Sequence, residues 1–444
     1  MALRDCFGRE YQVGPAPAAL LGRSRESMAW LPWAAMAVTG VSQYAFGSLV
    51  PRLTERGWSA TGTLWLLAVW TVFQACAGFP TAYLRDRRTR GHSLLGPRTV
   101  MVLGAALQVV GLVSLAHFTS LPFALVGYSV LGGTGAGLVY ATSTSTVANW
   151  HPDRMAARGS FVTGAFAYGA VPFAVAFLFT PVPLALDVTA AVVGIVVAGA
   201  GLSFRDPPPN WWPPDVDPRA WATDRRPRPV RQFSFTEALR TGVLPVMYVV
   251  LLAASAVSLF TVTFFATLGL SMGVAVVAVG TAILLGANGL GRSMAIQLAE
   301  RVGRRRAIGA VLAAQAAGQV CLAGAASAHS TVLLLFAAIL AGVGGGACYP
   351  LFAALAREYF GERDVARTHA VVYSAKAVGG VVGVGLAAFA VPSWGFPGVF
   401  LVAATIALTS AILATRLRRP GHVATLPIMY VVDTTTLQGS GGAP

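Results

Sequence analysis

Apolar residues run along this chain in stretches long enough to cross a bilayer, which takes roughly 20 residues as a helix. Polar, arginine-bearing segments separate them. Twelve such stretches can be marked. Six precede the middle, at about 28–50, 59–83, 98–118, 121–147, 157–179 and 185–204. Six follow it, at about 242–266, 273–298, 306–327, 331–356, 368–390 and 395–415. Apolar backbone of this length must satisfy its own hydrogen bonds, so each stretch predicts a helix. The expected fold class is an all-α membrane protein, with twelve transmembrane helices in two pseudo-symmetric six-helix bundles.

The polar breaks divide the chain into an N-terminal segment (1–27), a first bundle (28–204), a linker (205–241), a second bundle (242–416) and a tail (417–444). Arginines alternate between loops. One set carries Arg85, Arg87, Arg88, Arg90 and Arg98, then Arg154 and Arg158, then Arg301, Arg304, Arg305 and Arg306, then Arg357, Arg363 and Arg367; the other carries little beyond Arg52 and Arg56. By the positive-inside rule the rich set is cytoplasmic, which puts both termini and the linker in the cytoplasm of a cell whose inner or plasma membrane holds the chain. The linker is Pro-rich and polar, with a short amphipathic end at FTEALR. It reads either as a plain tether or, through Trp211, Trp212 and Trp221, as a segment lying along the membrane interface.

The halves repeat. GGTGAGLVY (132–140) matches AGVGGGACY (341–349), and NWHPDRMAAR matches EYFGERDVAR ten residues further on. Gly78 to Asp86-Arg87 matches Arg292 to Glu300-Arg301. Duplicated six-helix halves joined by a polar linker are a transporter plan.

Composition agrees. Hydrophobic residues make up 55% of the 444, charged residues 11%, and mean hydropathy is +0.66. Soluble domains carry about 25% charge. The net charge of +15 does not indicate a nucleic-acid partner, because the arginines sit in short clusters between apolar runs. The four cysteines show neither disulfide-framework nor metal spacing, and no cofactor is expected. The bilayer and a small organic anion are the expected partners, with the chain acting as a monomer.

Two cations break the apolar pattern. Lys376 is the one lysine in the chain and lies about ten residues inside the eleventh stretch. A charge there costs several kcal/mol on insertion scales and normally marks a ligand or ion path. The competing reading is that it snorkels to the surface or pairs with a buried acid. Arg292, in the eighth stretch, lies about nine residues from the Arg301 cluster, roughly 13 Å along a helix. It would otherwise cap helix carbonyls or reach the surface. In the repeat, Arg292 falls opposite Gly78 and Lys376 opposite Ala167, so both cations belong to one copy only. The 17 acids fall in loops, linker and termini, with Asp187 alone near a span end. Two embedded cations without an embedded acid call for an anion brought by the substrate.

Tyr44, Tyr140, Tyr168, Tyr349 and Tyr373 are candidates to line the path, Tyr373 sharing the helix face of Lys376; each is equally readable as a packed aromatic. No histidine is placed mid-span, and proton-coupled carriers usually need an intramembrane Asp, Glu or His. This favours exchange of one anion for another, with proton-coupled monocarboxylate symport as the alternative. A catalytic cluster near one membrane face is not found, so an enzyme is not expected. Asp86-Arg87 and Glu300-Arg301, with Arg154 and Arg363 at matched loop positions, read as charge latches for one conformation.

GFPTAYLRDRRTRGHSLLGPRTVMVLG and GRSMAIQLAERVGRRRAIG resemble the loop signature of the major facilitator superfamily. GGTGAGLVY with NWHPDR, and NGLGR with YSAKAVGG, are similar to its oxalate–formate antiporter family. That resemblance implies the major facilitator fold, antiport of oxalate and formate, and binding of a dicarboxylate by Arg292 and Lys376; Tyr140 and Tyr349 match expected aromatic positions. Two departures bear on the substrate: Tyr373 stands where the family would have Trp, and Gly345 makes the tenth span less aromatic. Another small carboxylate is therefore also open.

Overall fold

Each apolar stretch closes its backbone hydrogen bonds within itself, and the resulting helices pack side by side. The computed structural model of the chain describes residues 2–4, 10–86, 88–89, 92–93, 95–223, 232–361 and 365–420. Among these, ten helices are long and apolar enough to span a membrane: Ala60–Arg85, Pro97–His117, Leu121–Trp150, Met155–Phe179, Val182–Leu202, Val243–Met272, Val274–Val302, Arg304–Ala328, Thr331–Phe360 and Arg367–Ala414. Two breaks reconcile ten with the expected twelve. The first span is divided into Ser27–Thr39, Val41–Tyr44 and Phe46–Thr54. The eleventh and twelfth run together as Arg367–Ala414 and turn at Gly395, whose φ of 69° is a left-handed value that favours glycine. Pro392 and Pro397 flank that turn and withhold backbone donors there.

Starts and irregularities follow local chemistry. Pro97, Pro122, Pro172 and Pro183 sit in first turns, where a missing N–H costs nothing. The Ser59 hydroxyl accepts from Gly62 N and caps the second span. A π-helical turn, Val381–Leu386, begins five residues beyond Lys376; such turns are frequent at functional sites. Large apolar side chains face outward, with Ile195 74% and Val332 77% exposed, as a lipid-facing surface requires.

The two halves meet most closely where the fifth span crosses the eighth. A Cβ on Gly164 would lie 2.6 Å from the Gly289 carbonyl oxygen, and one on Gly289 would lie 2.6 Å from that of Gly164. Ser160 Oγ donates to the Ser293 carbonyl on the same seam at 3.4 Å. This crossing holds the eighth span against the first half at the level of Arg292.

The linker departs from both expectations. Trp211 and Trp212 are 3% and 1% exposed, so they do not lie along the membrane surface. They form a short strand parallel to Glu10–Val13, which pairs antiparallel with Ala2–Arg4. Tyr11 meets Trp212 at 5.0 Å, Trp150 meets Trp211 at 5.1 Å, and Trp221 meets Trp212 at 4.9 Å between ring centroids. The indole N–H groups of Trp150, Trp211, Trp212 and Trp221 donate to the carbonyls of Arg205, Pro15, Val216 and Asp153. These rings supply one another's apolar contacts and spend their donors on backbone, which removes the reason to seek a membrane interface. The far end of the linker docks on the second half: Phe233 N donates to the Phe360 carbonyl at 3.0 Å, and Ser234 and Glu237 form a reciprocal capping box on Phe235–Arg240.

Candidate functional site

Arg292 and Lys376 are each 2% exposed. Both point between the halves. Lys376 Nζ donates to Gln43 Oε1 and Gln74 Oε1, each at 2.7 Å, reaching the first and second spans. The same ammonium lies 5.4 Å from the Phe166 ring centroid and 5.7 Å from that of Tyr373. Arg292 Nη2 donates to the Tyr44 hydroxyl, and Nη1 to the Thr163 carbonyl at 3.4 Å. Its guanidinium carbon lies 5.4 Å from the Tyr44 ring centroid and 4.7 Å from that of Tyr349.

The rings join the two cations. Tyr44 and Tyr140 each meet Phe166 edge-on, at 5.9 and 5.4 Å. Tyr140 stacks on Tyr373 at 5.1 Å, and Tyr349 is 6.3 Å from Tyr373. Gln74 Nε2 donates to the Tyr373 hydroxyl at 3.3 Å, so Gln74 touches both Lys376 and its ring neighbour. His369 extends the ring series, stacking on Tyr373 at 6.0 Å.

Among the described residues, neither cation pairs with a carboxylate. Among the described residues the buried acid is Asp153, and Arg25 occupies it at 2.8 Å. Asp187, near the outer end of the sixth span, is paired with His117 at 2.9 Å. Arg292 Nε and Gln43 Nε2 are buried and have no hydrogen-bond partner among the described residues. Two cations and two spare donors in low dielectric form an acceptor-seeking site, which a carboxylate satisfies.

Four of the five candidate tyrosines, Tyr44, Tyr140, Tyr349 and Tyr373, surround the cations. Tyr168 packs on the seam beside Gly289 of the eighth span; its hydroxyl accepts from Trp33 Nε1 at 2.5 Å and its ring lies 6.2 Å from Trp33. Sequence reasoning missed Gln43, Gln74 and Phe166. The signal for the first two was present, since an amide inside an apolar span needs a partner there.

Of the latch candidates, the described side chains of Glu300, Arg301 and Arg154 form no ion pair with one another. Glu300 and Arg301 are exposed on the last turn of Val274–Val302 and form no ion pair among the described residues. Arg154 is 65% exposed and meets its neighbour Asp153 at 3.6 Å. Asp86 ends the helix Gly78–Asp86, while Arg87 and Arg363 lie outside the described residues. Charge on that face is spent on other pairs: Arg25–Asp153 at 2.8 Å, Arg158–Glu26 at 2.7 Å, Arg85–Asp206 at 2.8 Å and Arg304–Glu358 at 2.7 Å.

The family model of the Major Facilitator Superfamily matches residues 33–296 and 287–429. No curated protein matches the chain. The fold is similar to the crystal structure of the human organic anion transporter MFSD10 (TETRAN), with a TM-score of 0.62 at 15% identity, covering 88% of this chain and 100% of that one. The chain therefore belongs to the Major Facilitator Superfamily, as a multi-pass membrane transporter and not an enzyme.

Proposed function

We propose that this transporter exchanges small carboxylate anions of the oxalate or formate type by alternating access, binding them between Arg292 and Lys376. One observation carries the reading: both cations are buried at the boundary of the halves and neither has a carboxylate partner among the described residues. The protein supplies substitutes for the missing anion. Tyr44 accepts from Arg292, and two amide oxygens accept from Lys376. These neutral acceptors keep the empty site tolerable and are weaker partners than a carboxylate. An entering anion displaces them, so the contacts that tie the halves together depend on occupancy. The solved relative is described as an organic anion transporter; at 15% identity that likeness concerns the fold, and the charge of the substrate rests here on Arg292 and Lys376. The arginine-rich face is assigned to the cytoplasm, with the N-terminal segment and linker on it and the protein in the cell membrane.

The test is counterflow in liposomes loaded with oxalate, formate or related carboxylates. Arg292→Gln and Lys376→Gln are expected to abolish exchange. Exchange equal to the parent in both variants refutes the site.

His369 gives the symport reading a specific observation, since its ring stacks on Tyr373 next to Lys376. On that reading His369→Gln removes proton-driven uptake while sparing exchange between equal pools. On the exchange reading, uptake without internal anion is absent in the parent as well.

A further inference from the structure

Asn288 lies one turn before Arg292 on the same helix, about 6 Å along the axis, so the two side chains share a face. It is 0% exposed. Neither its Nδ2 nor its Oδ1 has a hydrogen-bond partner among the described residues. Gly345, one turn before Tyr349 on the tenth span, faces it. A Cβ on Gly345 would lie 3.4 Å from Asn288 Nδ2 and 2.5 Å from Ser258 Oγ of the seventh span. Glycine thus lets the tenth span close directly on the Asn288 amide and the Ser258 hydroxyl, one turn from the Tyr349 ring that faces Arg292. A buried amide with both ends unspent is costly, and such groups are normally met by a ligand or a water.

The donor and acceptor balance separates Asn288 from the cations. Lys376, Arg292 Nε and Gln43 Nε2 offer donors, and an ionised carboxylate offers acceptors alone. Asn288 offers both kinds, donors on Nδ2 and an acceptor at Oδ1. A second carboxylate would leave Oδ1 facing another acceptor, whereas a hydroxyl donates to Oδ1 and accepts from Nδ2. The one-turn offset from Arg292 suits a hydroxyl on a carbon close to the bound carboxylate.

We infer that Asn288 recognises a hydroxyl on the substrate, and that short hydroxycarboxylates are the preferred cargo. This rests on the carboxylate reading of the Arg292–Lys376 site and names the substrate class within it. Ser258 stands at the edge of the same position as a second hydroxyl-compatible group.

The test uses matched acids that differ by one hydroxyl, acetate with glycolate, propionate with lactate and succinate with malate. Each competes against a labelled carboxylate in liposome counterflow with the full-length protein. The parent is expected to favour the hydroxylated member about fivefold to tenfold, the scale of one net hydrogen bond. Asn288→Ala is expected to bring that ratio to near one, and Asn288→Ser to retain part of it. The readout is a ratio within each variant, so the amount of folded protein cancels. If Asn288→Ala does not reconstitute, Asn288→Ser carries the comparison, and a ratio equal to the parent's overturns the proposal. A parent that treats both members of each pair alike also overturns it, as does a variant that weakens both members equally, the result expected of a packing or water-binding role. If the parent exchanges no carboxylate, the carboxylate reading itself has failed and this inference falls with it.

Discussion

Lys376 of the eleventh span is held by Gln43 of the first, the ammonium donating across the boundary between the halves to Oε1 at 2.7 Å. Hydrogen bonds to a charged group contribute about 1.5–3 kcal/mol. Gln43→Leu leaves the buried ammonium with Gln74 as its amide acceptor and should lower the thermal midpoint of the empty protein. Saturating carboxylate should recover part of the loss, because the anion takes the vacated role. Thermal unfolding in detergent, with and without substrate, reads both; an unchanged midpoint would show that the bond contributes nothing.

Substrate should stabilise the parent. An anion present at 100 times its Kd contributes about 2.7 kcal/mol to the folded state. Oxalate is therefore expected to raise the unfolding temperature, whereas chloride at equal ionic strength does not. In Arg292→Gln and Lys376→Gln the shift should vanish. A shift that survives in both variants places the anion elsewhere.

Tyr44 and Tyr168 make a discriminating pair. Tyr44→Phe removes the acceptor of Arg292 and should change the half-saturation for substrate by about 2- to 12-fold, from a net hydrogen bond of about 0.5–1.5 kcal/mol. Tyr168→Phe removes the acceptor of Trp33, a hydroxyl that takes no hydrogen bond from Arg292 or Lys376. It should move half-saturation less than about twofold and show instead as a small loss of stability. Equal effects on half-saturation would mean that Tyr168 reaches the site in another conformation.

His151 ends the fourth span beside Arg25, Glu26, Asp153 and Arg158. Burial pushes its imidazole down to about 4. The folded value lies below the unfolded one near 6.5, so the opened state takes up the proton first. Its contribution is complete above about pH 7 and is lost as pH falls toward 4, amounting to about 2 kcal/mol between pH 7 and 5. The N-terminal segment should therefore open more readily at pH 5. Limited proteolysis near Gly22 at the two pH values measures this, and His151→Gln should flatten the difference.

Much of this site was legible in the sequence because charge inside an apolar run has few permitted roles. Lys376 and Arg292 stood out against their own spans, and a repeat lacking both cations in its other copy set them apart. Tyr373 followed from sharing a helix face with Lys376. Tyr168 could not be separated from the others, since which side of a helix meets the centre depends on packing between the halves. Gln43 and Gln74 were overlooked because amides carry no charge, although they are what the lysine touches. The span count was readable to the number of crossings, while the joining of the last two depended on one left-handed glycine. The linker was misread for a physical reason. Trp211 and Trp212 announce an interface, yet their partners Tyr11 and Trp150 are supplied by strands and helices distant in the chain.

That distance has a bearing on assembly. Gln12 pairs with Trp211, roughly 200 residues later, a separation that makes the contact late and slow to form. During synthesis the start of the chain must wait until the first bundle has been inserted and the tryptophan pair has left the ribosome. A fragment stopped at 204 would lack the strand its beginning needs, whereas one extended to 223 would carry it. The natural seam for producing the halves as separate polypeptides therefore lies after the tryptophans, not at the end of the sixth helix.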